Sequence, residues 1–474
     1  MAIQLVWFRS DLRVRDNPAL VNAMAAGPTL ALFVVSEAQW REHGHGDNKI
    51  HFIYRNVIAL QRELAKLKVP LVVMSVPEFA DTAEALVDWV TKWQVAAVYA
   101  NGEYALNERQ RDKACKGALA GVGVELHLLH GNRVIAPSQL VKDDGTHYQV
   151  YTPFSKRWRE IAEHQWQTPL AMPTPQQALA KSQLPNSEFD LPKALAQGGD
   201  KLAALWPGGE VEAQNRLLQF CDRAIADYKE QRDFPAIEGT STLSAYLNVG
   251  AISVRQALAE VLRRYGWHTE NRGAKTWVNE LIWGEFYHAI TWHNPRVCRY
   301  QPYIAKGARV PWRQDDDAFE RWCSGNTGVP IVDAAMRQLL ATGWMHNRLR
   351  MVVAMYLSKN LLLDWRRGEA WFMEHLVDGD FAANNGGWQW SASTGTDAAP
   401  YFRLFNPFSQ AARFDPDARF MRRYLPELAE LPAKALQDEK ALEKSRPAEY
   451  PEPLVDLKFS RERALETFKT ALQS

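Results

Sequence analysis

Short runs of apolar and β-branched residues recur through the first 130 positions of the chain. They predict strands at 3–8, 29–35, 69–76, 95–99 and 124–129. Between them, apolar residues recur at helical spacing, for example over 49–67 and 80–93, and Asp16, Asn17 and Pro18 are typical of a helix cap and first turn. This alternation of strands and helices predicts an α/β domain with a doubly wound parallel sheet.

The predicted sheet carries no glycine-rich nucleotide motif. The first strand is followed by "RSDLRVRDNPAL" rather than by G-x-G-x-x-G, and the G-x-x-x-x-G-K-[ST] pattern occurs nowhere in the chain. The sequence therefore argues against a nicotinamide-dinucleotide site or a P-loop in this domain.

The pattern changes after the predicted sheet. Residues 136–205 are rich in Pro, Gln, Ala and Ser with weak periodicity, which predicts a long surface connector. Helical spacing then dominates, and helices are predicted at 210–229, 253–265, 274–293, 331–341, 345–364 and 369–376. We therefore expect an α/β domain over 1–135, a linker over 136–205 and an all-α domain over 206–474.

Composition and cysteine spacing exclude several classes of protein. There is no apolar run of about 18 residues or more, and the start "MAIQLVWFRSDLR" lacks the layout of a secretory signal. We therefore expect no membrane span and a cytoplasmic location. The four cysteines are scattered, without a C-x-x-C pair, which argues against a disulfide framework or a structural metal site.

The net charge and the aromatic content do not identify the binding partner of the chain. The formal net charge is only +1, so a nucleic-acid partner would need a local basic face. The chain has 18 tryptophans, most of them after residue 200. Such residues fill cores, stack on flat ligands and can carry electrons, and composition alone does not choose among these roles.

Two stretches of the predicted helical domain could bind a ligand. Gly239, Thr240, Ser241 and Thr242 precede a helical pattern, and they would suit either a diphosphate or an ordinary helix cap, which is the commoner explanation. In "KTWVNELIWGEFYHAITWH", Trp277, Glu280 and Trp283 share one side of a helix. A carboxylate between aromatic rings could bind the edge of a base or flavin, or it could be a solvated side chain.

A third stretch, "TGWMHNRLRMVVAMYLSKNLLLDW", places Asn347, Met351 and Met355 at i, i+4 spacing, with Arg350 nearby. Methionine suits an irregular flat ligand, although a Met pair alone is more often core.

The fourth stretch, "DGDFAANNGGWQWS" (378–391), combines two acids, two asparagines, two glycines and two tryptophans. We expect a loop at Asp378 and Asp380, with Arg350 as a partner for one carboxylate, and the residue types at 384–387 permit tight or left-handed backbone. Two acids without a nearby histidine make a poor transition-metal site, and no metal is expected, although two carboxylates could still bind Mg²⁺.

These motifs together resemble the DNA photolyase and cryptochrome family. The resemblance is carried by "WFRSDLRVRDNPAL", "QRDFPAIEGTSTLSAYLNVGAIS", "WVNELIWGEFY", "GWMHNRLRM" and "DGDFAANNGGWQWSASTGTDAAPYFRLFNP". It spans nearly the whole chain and is nearest to bacterial class I cyclobutane-pyrimidine-dimer photolyases with a folate antenna. It implies DNA repair by a monomeric flavoprotein lyase, in which blue-light-excited FADH⁻ gives an electron to a flipped-out dimer, the cyclobutane ring splits and the electron returns.

The resemblance implies an FAD site and an electron relay. Asn384 would face flavin N5, and Arg350 would pair with Asp378. The relay that reduces oxidised flavin would be Trp312, Trp365 and Trp388. The FAD-binding residues would be Tyr228, Thr240, Ser241, Thr242, Leu243, Ser244, Trp277, Asp378, Gly379 and Asp380.

The resemblance also implies contacts with ultraviolet-damaged DNA. Glu280 would bind the dimer's base edges, and Glu280, Arg350, Met351 and Asn384 form the implied catalytic set. The other implied lesion and DNA contacts are Arg232, Trp283, Asn347, Arg348, Trp390 and Gln410. The related (6-4) photolyases carry a histidine pair where this chain has His346 followed by Asn347, which favours the cyclobutane substrate.

In the folate-binding relatives, the positions of Asn107, Glu108 and Cys298 hold 5,10-methenyltetrahydrofolate, so this antenna is expected here. Two positions depart from close relatives: Gly284 stands in place of Arg, and Arg299 in place of Lys. Two rival hypotheses are a cryptochrome-type photoreceptor, which would not need the lesion-facing residues, and a dark FAD-dependent oxidoreductase, for which the sequence shows no hydride donor site.

Overall fold

The structure is a computed structural model that describes residues 2–180 and 200–473. The chain divides into two compact units. The first unit comprises Met1–Tyr148, Thr152–Ala226 and Ser241–His293. The second unit comprises Gln149–Tyr151, Asp227–Thr240 and Asn294–Ser474. The predicted helical domain began at 206, whereas 206–226 and 241–293 cluster with the α/β residues; the domain boundaries remain a prediction.

The first unit contains a five-stranded parallel sheet, which confirms the predicted fold class. Its strands are β1 (Ile3–Phe8), β2 (Thr29–Val35), β3 (Leu71–Ser75), β4 (Val95–Asn101) and β5 (Glu125–Leu129), in the spatial order β3-β2-β1-β4-β5. In the register, Leu5 pairs with Leu30 of β2 and Val98 of β4. The central strand β1 is buried along its whole length because both neighbours and the flanking helices cover it.

Helices surround this sheet and continue along the chain. Asn17 caps the first of them, since its side chain accepts a hydrogen bond from Leu20 N at 3.1 Å, as the sequence predicts. Within 2–180 and 200–293, the α-helices are Pro18–Ala26, Glu37–Glu42, Asp47–Lys66, Thr82–Lys92, Leu106–Gly121, Tyr151–His164, Glu210–Arg223, Tyr228–Gln231, Ser244–Asn248, Val254–Tyr265 and Arg272–His293.

The predicted connector is partly helical. The helix Tyr151–His164 lies within 136–205, and it buries Phe154 and Trp158. The Trp158 indole donates to Glu285 Oε2 at 3.0 Å, which ties the helix to the first unit. This part of the predicted surface connector is therefore a packed helix, because its apolar face lies in a core. Residues 181–199 of the predicted connector lie outside the described residues.

The second unit has a helical core that includes Trp322, Met336, Leu349, Trp365 and Trp388. Besides Tyr228–Gln231, its α-helices are Asp316–Cys323, Pro330–Thr342, Asn347–Met355, Trp365–His375, Phe381–Ser391, Pro407–Phe414, Arg419–Tyr424, Ala433–Gln437, Glu439–Ser445 and Leu457–Gln473. A π-helical turn, Tyr356–Asn360, follows Met355. Among the described residues, no helix combines the length and apolarity that a membrane span requires.

Candidate functional site

A buried ion pair occupies the second unit where two helices approach each other. Asp378 follows the helix Trp365–His375, and Arg350 lies in the helix Asn347–Met355. Arg350 Nη2 donates to Asp378 Oδ1 at 3.1 Å and to Oδ2 at 2.9 Å. Arg350 Nε also donates to the carbonyl of Met345 at 2.8 Å. The predicted pairing is confirmed, and it explains how the Asp378 carboxylate is tolerated in a buried position.

The second acid, Asp380, has a different partner from Asp378. It caps the helix Phe381–Ser391. Its Oδ1 accepts from Ala383 N at 2.8 Å. Residues 384–387, whose types permit tight or left-handed backbone, are helical instead: no residue of 381–391 has a positive φ. The cap and side-chain contacts outweigh the low helix propensity of Asn and Gly.

Glu369 is a buried group that the sequence analysis did not single out. Its Oε1 accepts from Asn385 Nδ2 at 2.8 Å, and Asn385 Oδ1 accepts from Gln389 at 2.9 Å. Burial raises the pKa of Glu369 to about 7. The hydrogen bond from Asn385 acts in the opposite direction but is the smaller effect. Asn384 Nδ2 donates to the Glu369 carbonyl at 3.0 Å, so Asn384 Oδ1 is the amide atom left to accept from a ligand N–H.

The helix Asn347–Met355 separates its two methionines. Asn347 is exposed and Met351 is half-buried, whereas Met355 is buried in the core. The expectation that all three share one accessible side is thus wrong for Met355. His346 caps the helix through Nδ1, which accepts from Arg348 N at 3.2 Å, and burial lowers the His346 pKa to about 4, so the imidazole is neutral near pH 7.

The tryptophans of the second unit differ in burial. Trp365 and Trp388 are buried, and Trp312 and Trp390 are partly exposed. Trp388 packs edge-to-face against Trp322, with ring centroids 5.9 Å apart. A Cβ on Gly368 would overlap the Trp388 ring, so glycine allows this close approach. Trp312 packs against Phe468 at 5.8 Å.

Three predicted DNA contacts also lie in the second unit. Arg348 forms an ion pair with Asp233, Nη2 to Oδ1, at 2.9 Å, and Arg232 Nε lies 3.8 Å from the same oxygen. The structure thus brings these two arginines together at a carboxylate that the sequence analysis did not single out. Gln410 lies on the helix Pro407–Phe414, and its Oε1 is buried with no hydrogen-bond partner among the described residues.

In the first unit, the long helix Arg272–His293 carries the predicted aromatic and acidic side. Trp277 is buried and packs against Phe220, with ring centroids 5.3 Å apart, whereas Glu280 and Trp283 are partly exposed. Trp283 contacts Phe286 and Tyr287 at 5.6 and 5.7 Å. The helix therefore presents Glu280 and Trp283 to the surface while Trp277 contributes to packing.

The predicted diphosphate segment is divided between the units, with Thr240 in the second and 241–244 in the first; Tyr228, another predicted FAD contact, belongs to the second unit. Thr242 has a φ of +49°, and Leu243 precedes the short helix Ser244–Asn248. Thr242 Oγ1 accepts from Arg216 Nη1 at 3.3 Å. Arg216 is a cation that the sequence analysis missed, because its i, i+4 pairing with Glu212 looks like an ordinary surface ion pair.

Of the predicted antenna residues of the first unit, Glu108 lines a cavity and Asn107 contacts His43, another lining residue. Asn107 Nδ2 contacts His43 Nε2 at 2.9 Å. Burial, aided by the charge of Glu103, raises the pKa of Glu108 to about 7. Glu108 lines a cavity of about 110 Å³ whose other lining residues include Trp7, Arg9, His43, Glu103 and Arg111. Cys298 lies in the second unit and is partly exposed.

Comparison with known proteins gives matches over nearly the whole chain. Residues 4–176 match the family described as DNA photolyase, and residues 277–470 match the FAD binding domain of DNA photolyase. The chain is 42% identical over 480 residues to the deoxyribodipyrimidine photo-lyase of Salmonella typhimurium, covering 99% of each chain. It is 40% identical over 474 residues to that of Vibrio cholerae, covering 99% of this chain and 100% of the other.

A solved structure agrees with these matches. A bacterial class III photolyase from Agrobacterium tumefaciens superposes with a TM-score of 0.86 at 34% identity, covering 100% of this chain and 98% of that chain. The parallel sheet, the helical unit with its Arg350–Asp378 pair and the full-length similarity lead to one assignment: the chain belongs to the DNA photolyase family.

Proposed function

We propose that the chain is a deoxyribodipyrimidine photo-lyase, which uses blue light to split cyclobutane pyrimidine dimers in DNA. The observation that carries this proposal is the full-length similarity to enzymes of that name. The Arg350–Asp378 ion pair and the Asn384 amide occupy the motif positions that the family resemblance assigns to FAD. Bound FADH⁻ would supply the electron that opens the cyclobutane ring, and the electron would return, so the reaction is redox-neutral.

Side chains of the second unit fit a planar ligand with polar edges. Glu369 Oε2 is buried and has no hydrogen-bond partner within 2–180 and 200–473. A Cβ on Gly387 would meet no described atom within 4 Å, so the backbone there is open to a flat ring. The residues that we propose to bind FAD are Tyr228, Thr240, Ser241, Thr242, Leu243, Ser244, Trp277, Asp378, Gly379 and Asp380, and Arg216 lies beside Thr242.

Arg350 and Asn384 would orient the reduced ring. Arg350 is fixed by three hydrogen bonds, two of them to Asp378, so its guanidinium is held in place before any ligand binds. Asn384 presents Oδ1, an acceptor suited to the N–H that reduced flavin carries at N5. Arg350 would balance the negative charge of FADH⁻ and Asn384 would bind its N5–H, so both residues favour the reduced anion over the oxidised ring.

Lesion recognition would require the dimer to leave the helix stack. Flipping costs a few kcal/mol, and stacking on aromatic rings contributes roughly 1–3 kcal/mol per base. The residues that would contact the dimer are Glu280, Trp283, Asn347, Met351 and Trp390. Arg232, Arg348 and Gln410 would contact the backbone, where affinity depends on salt.

Two further assignments complete the proposal. Trp388, Trp365 and Trp312 would carry electrons to oxidised flavin under light. Asn107, Glu108 and Cys298 would hold 5,10-methenyltetrahydrofolate, and the raised Glu108 pKa makes its carboxyl a hydrogen-bond donor for part of the time near pH 7. Arg299, which replaces lysine, keeps the charge there but changes its shape. The protein would act as a cytoplasmic monomer.

The test is repair of ultraviolet-irradiated plasmid DNA by purified holoprotein under blue light and in darkness. The proposal predicts loss of cyclobutane dimers in the illuminated sample alone. A flavin-loaded protein that leaves dimers intact in both samples would be a photoreceptor rather than a repair enzyme.

A further inference from the structure

Arg232, Asp233 and Arg348 form a three-residue group in the second unit, here called the arginine clamp. Arg232 and Asp233 follow the helix Tyr228–Gln231, and Arg348 lies in the first turn of the helix Asn347–Met355. Both guanidinium groups lie within ion-pair distance of one carboxylate oxygen, Asp233 Oδ1, which is 2.9 Å from Arg348 Nη2 and 3.8 Å from Arg232 Nε. All three side chains are partly exposed, between 18% and 31%.

Aromatic rings support both arginines independently of Asp233. The Arg348 guanidinium carbon lies 4.5 Å from the centroid of the Phe414 ring, and that of Arg232 lies 5.4 Å from the Tyr228 ring. Arg348 is also held at its backbone N–H by His346. Because stacking and backbone contacts position the arginines, the main effect of Asp233 on them is electrostatic.

A carboxylate and a phosphate require the same guanidinium donors. Any phosphate that reaches Arg348 Nη2 meets the negative charge of Asp233, which is already bound there. With two arginines and one aspartate, the clamp offers a net charge of +1 rather than +2. Asp233 thus opposes the phosphate that the arginines attract.

We propose that Asp233 is an internal competitor for DNA phosphate, which weakens backbone binding so that the protein is not held by undamaged DNA. This inference rests on the proposed function, in which Arg232 and Arg348 contact DNA. Because most of the DNA that the protein meets is undamaged, a weaker backbone contact shortens unproductive binding. Lesion contacts, made elsewhere, are left unchanged.

The experiment compares Asp233→Asn with wild-type holoprotein for binding to undamaged duplex DNA at several salt concentrations. Asparagine keeps the size of the side chain and removes the charge. We expect binding to be about fourfold tighter, from the Coulomb energy of a like-charge pair about 5 Å apart screened by the dielectric constant of bulk water. The plot of log affinity against log salt should be steeper by up to about 0.9, the value of one phosphate contact.

Glu238→Gln is the matched control, because Glu238 is an exposed acid of the same loop and forms none of the clamp's ion pairs. It should leave affinity unchanged. Unaltered or weaker binding by Asp233→Asn, or an equal gain with Glu238→Gln, would overturn the proposal. Arg232→Ala and Arg348→Ala distinguish a failure of this inference from a failure of the proposed function. If neither variant weakens DNA binding, the proposed DNA contacts of Arg232 and Arg348 are wrong.

Discussion

Arg350 Nη2 lies 2.9 Å from Asp378 Oδ2, and the side chain of Asp378 is only 2% exposed. This pair joins two helices of the second unit. A carboxylate so deeply buried is tolerated because the guanidinium donates to both of its oxygens.

Replacing Arg350 with leucine leaves the Asp378 charge buried without its partner. We expect the free energy of unfolding to fall by about 3–5 kcal/mol, measured by urea denaturation of the holoprotein. Adding Asp378→Asn to this variant should recover most of the loss, because it removes the stranded charge. A double variant no more stable than Arg350→Leu would contradict this account of the pair.

Glu369 predicts a pH dependence of stability. Its pKa is raised from 4.5 to about 7 by burial, so the folded state binds more protons than the unfolded state between these values. Stability is therefore highest at low pH within this window and falls by roughly 3 kcal/mol as pH rises through 7. Glu369→Gln should show a smaller fall than wild type between pH 5 and pH 8. Identical slopes would mean that Glu369 ionises normally.

Trp388→Phe should abolish light-driven reduction of oxidised flavin, because indole is oxidised more readily than phenyl. Repair by the pre-reduced variant should persist, since the relay is not needed once flavin is reduced. Trp322→Phe is the control, because Trp322 is buried against Trp388 but lies outside the proposed relay. If Trp322→Phe blocks reduction equally, packing around Trp388 and not electron transfer is responsible.

Trp283→Ala should weaken binding to dimer-containing DNA about tenfold, because it removes one stacking surface of roughly 1–3 kcal/mol. FAD content and affinity for undamaged DNA should stay at wild-type values. Trp267, a partly exposed tryptophan of the same unit, provides the control substitution to alanine. Unchanged lesion affinity of Trp283→Ala would remove Trp283 from the proposed contacts.

Gly284→Arg tests the position at which the chain departs from its relatives. A Cβ at Gly284 would meet no described atom within 4 Å, so the helix can accept a side chain there. We expect up to about 1 kcal/mol of added stability, from the higher helix propensity of arginine, and tighter, more salt-dependent DNA binding. Gly284→Ala should reproduce the stability gain but not the DNA effect. Equal DNA binding by both variants would show that the missing cation is irrelevant.

Strands and helices in which apolar residues recur at a regular spacing were predictable from the sequence. All five strands and the helix Arg272–His293 were expected within two residues of their observed starts. The Arg350–Asp378 pair was also expected. Two acids so close in the sequence repel each other, so one of them requires a cationic partner.

The remaining features depend on tertiary contacts. The helix Phe381–Ser391 forms despite its Asn and Gly content because Asp380 caps it and Asn385 binds the side chain of Glu369. Glu369 itself resembles any surface glutamate in sequence, and only packing makes it buried. Asp233 becomes notable only because a helix more than 100 positions later along the chain brings Arg348 to it.

The most direct test of the central claim uses pre-reduced holoprotein bound to an oligonucleotide with one thymine dimer, illuminated by a single blue flash. The account predicts that intact thymines appear while the flavin absorption spectrum returns to that of the reduced form, because no net electron is consumed. Intact dimers, or flavin left oxidised in proportion to the thymines formed, would contradict it.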